Sequence, residues 1–104
     1  MMNSPEYIKW VEDLKYGDIV LLVDGQWSNP VIFLNWNGVS SGSGYRANYY
    51  YITNNEEYIK DLEEKDFHPA SVNSNAEKRF YPFPKKLLSK PQLKFYELFK
   101  HFKL

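Results

Sequence analysis

Proton transfer, metal binding and nucleophilic attack each need particular side chains at particular spacing, and this sequence offers few. Its histidines are His68 and His101. His68 precedes Pro69 and reads as a loop residue, while His101 falls on the polar side of a helical repeat. Neither has a second histidine at metal-ligand spacing, so no His-based zinc site is expected. The chain has no Cys, which removes thiol nucleophiles, thiolate metal sites and disulfides, and suits a reducing compartment. Glu56, Glu57, Asp61, Glu63 and Glu64 crowd together. On a helix Glu57 and Asp61 share a face, and paired carboxylates can do acid–base work or hold Ca²⁺ or Mg²⁺. Lys60 and Lys65 are interspersed among them, which is the pattern of a solvated face laced with i,i+4 pairs. Gly38, Gly42 and Gly44 lack the spacing of either common phosphate-binding loop. The expectation is a chain with no catalytic residues, no metal and no cofactor.

Binding chemistry is better represented. Aromatic residues reach 18%, with 9 Tyr, 7 Phe and 3 Trp. Trp27, Trp36, Tyr45, Tyr49, Tyr50 and Tyr51 fall within one stretch of strand-like sequence. Alternation puts Tyr45, Tyr49 and Tyr51 on one face of a strand, and Tyr50 and Ile52 on the other. One face must be core. The other can present rings to a peptide, a base or a cation, unless helices cover it. Trp27, Trp36, Tyr49 and Tyr51 are the candidate binding residues of this group.

The balance of 13 basic and 13 acidic residues hides a split. Residues 1–77 hold five basic against twelve acidic residues, a net of −7; residues 78–104 hold eight against one, a net of +7. Such a chain either pairs with itself or shows a basic face to an anionic partner. Lys78, Arg79, Phe80, Tyr81, Lys85 and Lys86 interleave cations and rings, a mixture that can neutralise phosphates and stack bases or grip an acidic protein surface. These six complete the set of candidate binding residues.

The elements that must position them can be read from punctuation and period. Ser4-Pro5-Glu6 starts a helix, with Ser4 as cap and Pro5 in the first turn; Tyr7, Trp10, Val11 and Leu14 form its apolar stripe, and Gly17 ends it. Ile19–Val23 and Val31–Trp36 are strands without polar alternation, so both of their faces require cover. Asp24-Gly25 is a tight turn between them. Asn37-Gly38 reads as a second turn, and Ser40 to Gly44 as a loop tip. Tyr45–Thr53 is a third strand, completing an antiparallel meander. A helix is expected from Asn54-Asn55 to about Lys65, then a polar loop over Ala70–Ala76. Glu77–Phe83 is an edge strand, because Pro82 and Pro84 restrict its hydrogen bonding. Ser89 or Lys90 caps a last helix whose stripe is Phe95, Leu98, Phe99 and Phe102, with Lys94, Glu97 and His101 opposite.

Gly17-Asp18-Ile19-Val20, the Asp24-Gly25-Gln26-Trp27 turn and the Val31-Ile32-Phe33-Leu34 return strand together resemble the small SH3-like barrels of the Tudor-like group. The resemblance covers residues 14–53, and a helix-like segment replaces the strand and tight aspartate–tyrosine–glycine turn usual further on. What it implies is architecture, with a ligand groove between loops lined by aromatics. The fold class expected is α+β: a single domain over residues 1–104, with a small twisted antiparallel sheet of three to five strands, or an SH3-like barrel, and flanking helices. The N-terminus has no apolar signal core, and no apolar run approaches the ~20 residues of a membrane span, so the expected compartment is the cytoplasm. The expected function is a non-enzymatic interaction module that binds a protein partner through its aromatic and charged surface. Accessory or inhibitor proteins of mobile elements are of this kind. The alternative is a nucleic-acid-binding protein using residues 78–104.

Overall fold

The computed structural model describes residues 4–40, 44–73 and 78–104; the side chains of residues 38–45 and of Lys78 lie outside the description. Ser41 to Ser43 of the expected loop tip, residues 74–76 of the expected polar loop and Glu77 of the expected edge strand lie outside the described residues.

Helix α1 spans Pro5–Glu12, where Ser4 Oγ accepts the Tyr7 N–H at 3.1 Å and Pro5 occupies the first turn. Strands β1 (Ile19–Asp24) and β2 (Trp27–Ser40) form a hairpin in which Gly25 takes the positive φ, +64°, that a two-residue loop requires. Strand β3 (Gly44–Tyr51) returns antiparallel along β2. Helix α2 (Glu56–Lys60) follows, capped by Asn55, then a short 3-10 turn over Glu64–Asp66. Strand β4 (Ala70–Asn73) pairs with β3, and β5 (Lys78–Pro82) pairs with β1. A second 3-10 turn over Lys85–Leu87 leads to α3 (Lys90–Lys103), capped by Ser89 and Gln92. The sheet order is β4-β3-β2-β1-β5, all antiparallel. Among the described residues the fold is α+β, with three helices on an open sheet.

Several expectations need correction. The sheet does not close, so the barrel alternative gives way to an open sheet with β4 and β5 at its edges. Asn37-Gly38 is not a turn but lies within β2, at a register irregularity between Trp36 and Val39. The helix expected to reach Lys65 stops after Lys60, because the Asp66 carboxylate takes the Glu63 N–H at 2.9 Å and starts a separate turn. Residues 70–73 of the expected loop form β4, held by its ladder with Arg46–Tyr49.

Both faces of the sheet are covered by apolar side chains, as the unalternating strands require. On one face Ile32, Leu34, Tyr50 and Ile52 pack under Ile59, Leu62, Phe67, Phe95 and Phe99. Phe99 is fully buried, and each such ring contributes roughly 1.5–3 kcal/mol by leaving water. On the other face Val20, Leu22, Val31, Phe33, Ala47 and Phe80 form a second cluster, with Trp10 of α1 and Leu14 just after it packed against it. No helix among the described residues is long and apolar enough to cross a membrane.

Candidate functional site

The second face carries the ring-rich surface. Strict alternation along β2 would place Trp36 on the opposite side from Trp27 and Phe33. The register shifts between Phe33 and Asn35, so that Phe33 lies opposite Tyr49 and Trp36 opposite Ala47. This bulge inserts one extra residue and turns Trp36 back onto the face of Phe33. Trp36 then tilts against Phe33, with ring centroids 5.2 Å apart, and meets Phe80 at 6.0 Å. Trp27, Trp36, Tyr49 and Tyr51 thus share one side of the sheet, and their exposure is graded. Trp36 and Tyr49 are half-buried and pack on the second cluster. Trp27 and Tyr51 stack at 6.1 Å and 21° between planes, yet remain 43% and 46% exposed.

The Tyr49 phenol is held above its ordinary pKa, chiefly by burial and further by the Asp24 carboxylate. Asp24 lies opposite Trp27 in the β1–β2 ladder and on the face of Leu22 and Val20. The surface therefore combines flat aromatic area, a protonated phenol that can donate or accept, and a carboxylate. It can hold apolar or cationic groups of a partner by area burial, ring stacking and hydrogen bonding. α1 protects the neighbouring part of this face. The Tyr7 hydroxyl donates to the Phe80 carbonyl at 2.8 Å, and the Tyr7 ring lies 6.0 Å from Trp10 and 6.2 Å from Tyr81.

The basic aromatic segment is not brought together as one patch. Phe80 is 1% exposed and belongs to the core, so it cannot stack on a ligand. Phe80 and Tyr81 stand as equal candidates in the sequence pattern, but the β5 register turns Phe80 to the face of Leu22 and leaves Tyr81 40% exposed. Arg79 sits over the Tyr7 ring at 5.6 Å. Lys85 turns to α3 instead, 3.7 Å from Glu97 and 5.4 Å from the centre of the Tyr96 ring. Lys86 is exposed. The backbone of Lys78 lies opposite Asp24. Charge pairing between the two halves of the chain is represented by Lys103 and Glu64 at 3.6 Å.

His68, between the Glu64–Asp66 turn and β4, and His101, on α3, are both exposed. Among the described residues, no three His, Asp or Glu side chains converge as a metal-holding group. Sequence reasoning missed Tyr7, which fastens α1 to β5; its place in an apolar stripe signals packing and gives no sign of a hydroxyl partner 73 residues away. Comparison with protein-family models, with curated proteins and with solved structures returned no match for this chain.

Proposed function

We propose that this chain is a non-enzymatic interaction module that holds a protein partner against its ring-bearing sheet face. The observation that carries this reading is the Trp27–Tyr51 stack, which leaves two large rings nearly half exposed beside Tyr49. Exposed aromatic area of this kind favours association, because Trp and Tyr bury much surface at small cost in side-chain freedom. Nucleic-acid binding through residues 78–104 has less support. Phe80 lies in the core, Lys85 is paired with Glu97, and a chain of zero net charge has no long-range pull on a polyanion. The absence of Cys, and of any described helix able to cross a membrane, is compatible with work in the cytoplasm.

The test is affinity capture from host lysate with and without nuclease, followed by titration of the purified partner. Trp27→Ala combined with Tyr51→Ala should weaken that partner by tenfold or more, on the order of 1.4 kcal/mol or above. Lys85→Glu combined with Lys86→Glu should leave it within about threefold. Nuclease-sensitive capture, with parent affinity for single strands falling steeply as salt rises, would instead select the nucleic-acid reading.

A further inference from the structure

A cleft of about 370 Å³ opens on the other side of the sheet, where the end of β3 meets α2 and the Glu64–Asp66 turn. Three buried rings line it: Tyr50, Phe67 and Phe95. Phe67 touches both of the others, edge-on to Tyr50 at 5.4 Å and tilted to Phe95 at 5.2 Å. Tyr58 also lines it, 47% exposed, its hydroxyl donating to the Asp66 carbonyl at 3.2 Å. Tyr51, Thr53, Asn55, Asp66 and the exposed His68 complete the lining. The Asp66 carboxylate takes one N–H, from Glu63, through Oδ2, which leaves it further acceptor capacity.

The segment that borders the cleft, residues 55–68, is strongly acidic: Glu56, Glu57, Asp61, Glu63, Glu64 and Asp66 stand against Lys60 and Lys65. Glu63 is engaged by Lys65 and Glu64 by Lys103, each at 3.6 Å. Lys90 and Lys94 share a separate groove with Glu56 and Glu57. Asp61 and Asp66 have no ion pair among the described residues. A ring-walled cleft beside uncompensated carboxylates selects against anions and in favour of a cation with an apolar or flat body.

We propose that this cleft receives an arginine side chain from a basic peptide segment of a partner. The guanidinium is planar and weakly hydrated, so it stacks on a ring such as Tyr58 while its fork of N–H groups reaches the Asp66 carboxylate. A lysine ammonium has the charge but not the plane, and its hydration is harder to remove. This site borders the ring-bearing face at Tyr51 but does not include Trp27 or Tyr49, so Trp27→Ala tests that face and Tyr58→Ala tests the cleft, each without the other.

The experiment is a titration of the ¹⁵N-labelled full chain with the capped peptide Gly-Ser-Arg-Ser-Gly, beside matched peptides carrying Lys or Glu in place of Arg. The Arg peptide should shift the amide signals of Asn55, Tyr58, Asp66 and His68 while leaving Trp27 and Tyr49 in place. The Lys peptide should bind about fivefold more weakly, as expected for loss of a partly exposed ring–cation contact, and the Glu peptide should not bind. Tyr58→Ala should weaken the Arg peptide by a similar factor. Asp66→Asn should do the same while keeping an oxygen for the Glu63 amide. Equal binding of the Arg and Lys peptides, an unchanged Arg affinity in both variants, or no shifts at these amides would overturn the assignment.

Discussion

Tyr7 and Phe80 are 73 residues apart in the chain and are joined by a 2.8 Å hydrogen bond, in which the Tyr7 hydroxyl donates to the Phe80 carbonyl. β5 pairs on one side with β1 and is otherwise an edge, so this bond satisfies a carbonyl that the sheet leaves open. Tyr7→Phe keeps the ring and removes the donor. It should cost about 1 kcal/mol of stability and raise amide exchange across α1 more than across α3. Equal exchange in parent and variant would show that α1 is held by Trp10 and Leu14 alone.

The Trp27–Tyr51 stack should register in stability as well as in binding. A double-mutant cycle, with each residue replaced by Ala singly and together, should give a coupling of about 0.5–1.5 kcal/mol by denaturant unfolding. Zero coupling would mean that the two rings do not stack in solution.

Three tyrosines predict the alkaline limit. Tyr50, Tyr49 and Tyr7 are each raised above the ordinary value of 10.0, in every case chiefly by burial. Lys103 opposes the shift at Tyr50, Asp24 adds to it at Tyr49, and Arg79 opposes it at Tyr7. The native state therefore holds these phenol protons more tightly than the unfolded chain does. Their contribution is complete below pH 10.0 and is lost as pH rises through the higher native values. Unfolding midpoints should fall as pH is raised above that point, and Tyr49→Phe and Tyr50→Phe should each flatten the fall. An identical pH profile in both variants would count against burial as its cause.

Phe80 and Lys86 lie six residues apart in the basic segment and should respond in opposite ways. Phe80→Ala removes a ring from the core and should cost about 3–5 kcal/mol. Lys86→Ala changes an exposed side chain and should stay within about 0.5 kcal/mol of the parent. Denaturant midpoints of the two variants decide the matter; a mild Phe80→Ala would mean that the second cluster does not depend on β5.

Helix α3 was the most legible element. Ser89 and Pro91 mark its start, and the spacing of Phe95, Leu98, Phe99 and Phe102 puts all four on the apolar cluster. The double cover of the sheet was legible for a similar reason, since Ile19–Val23 and Val31–Leu34 have no polar side to offer water. β4 was not legible because Ala70, Ser71 and Asn73 have little strand preference and Val72 stands alone among them; pairing with β3 supplies it. The early end of α2 was hidden because Leu62 continues the apolar stripe, while a single Asp66–Glu63 contact decides the break. At the candidate site, alternation correctly put Tyr49 and Tyr51 on one face. The place of Trp36 depends on a local insertion that no alternation rule contains.

That insertion gives β2 a change of parity. Before Leu34, odd-numbered side chains point to the ring-bearing face; at Trp36 an even-numbered one does. Sequence length between Phe33 and Trp36 therefore works as an address. Deleting Asn35 alone would remove the extra residue, pair Leu34 with Asn48 and leave Trp36 opposite Ala47 on the ring-bearing face, whereas deleting Leu34 and Asn35 together would send Trp36 to the side already filled by Tyr50 and Phe99. Within this short stretch, loss of one residue should keep the ring-bearing face intact and loss of two should not.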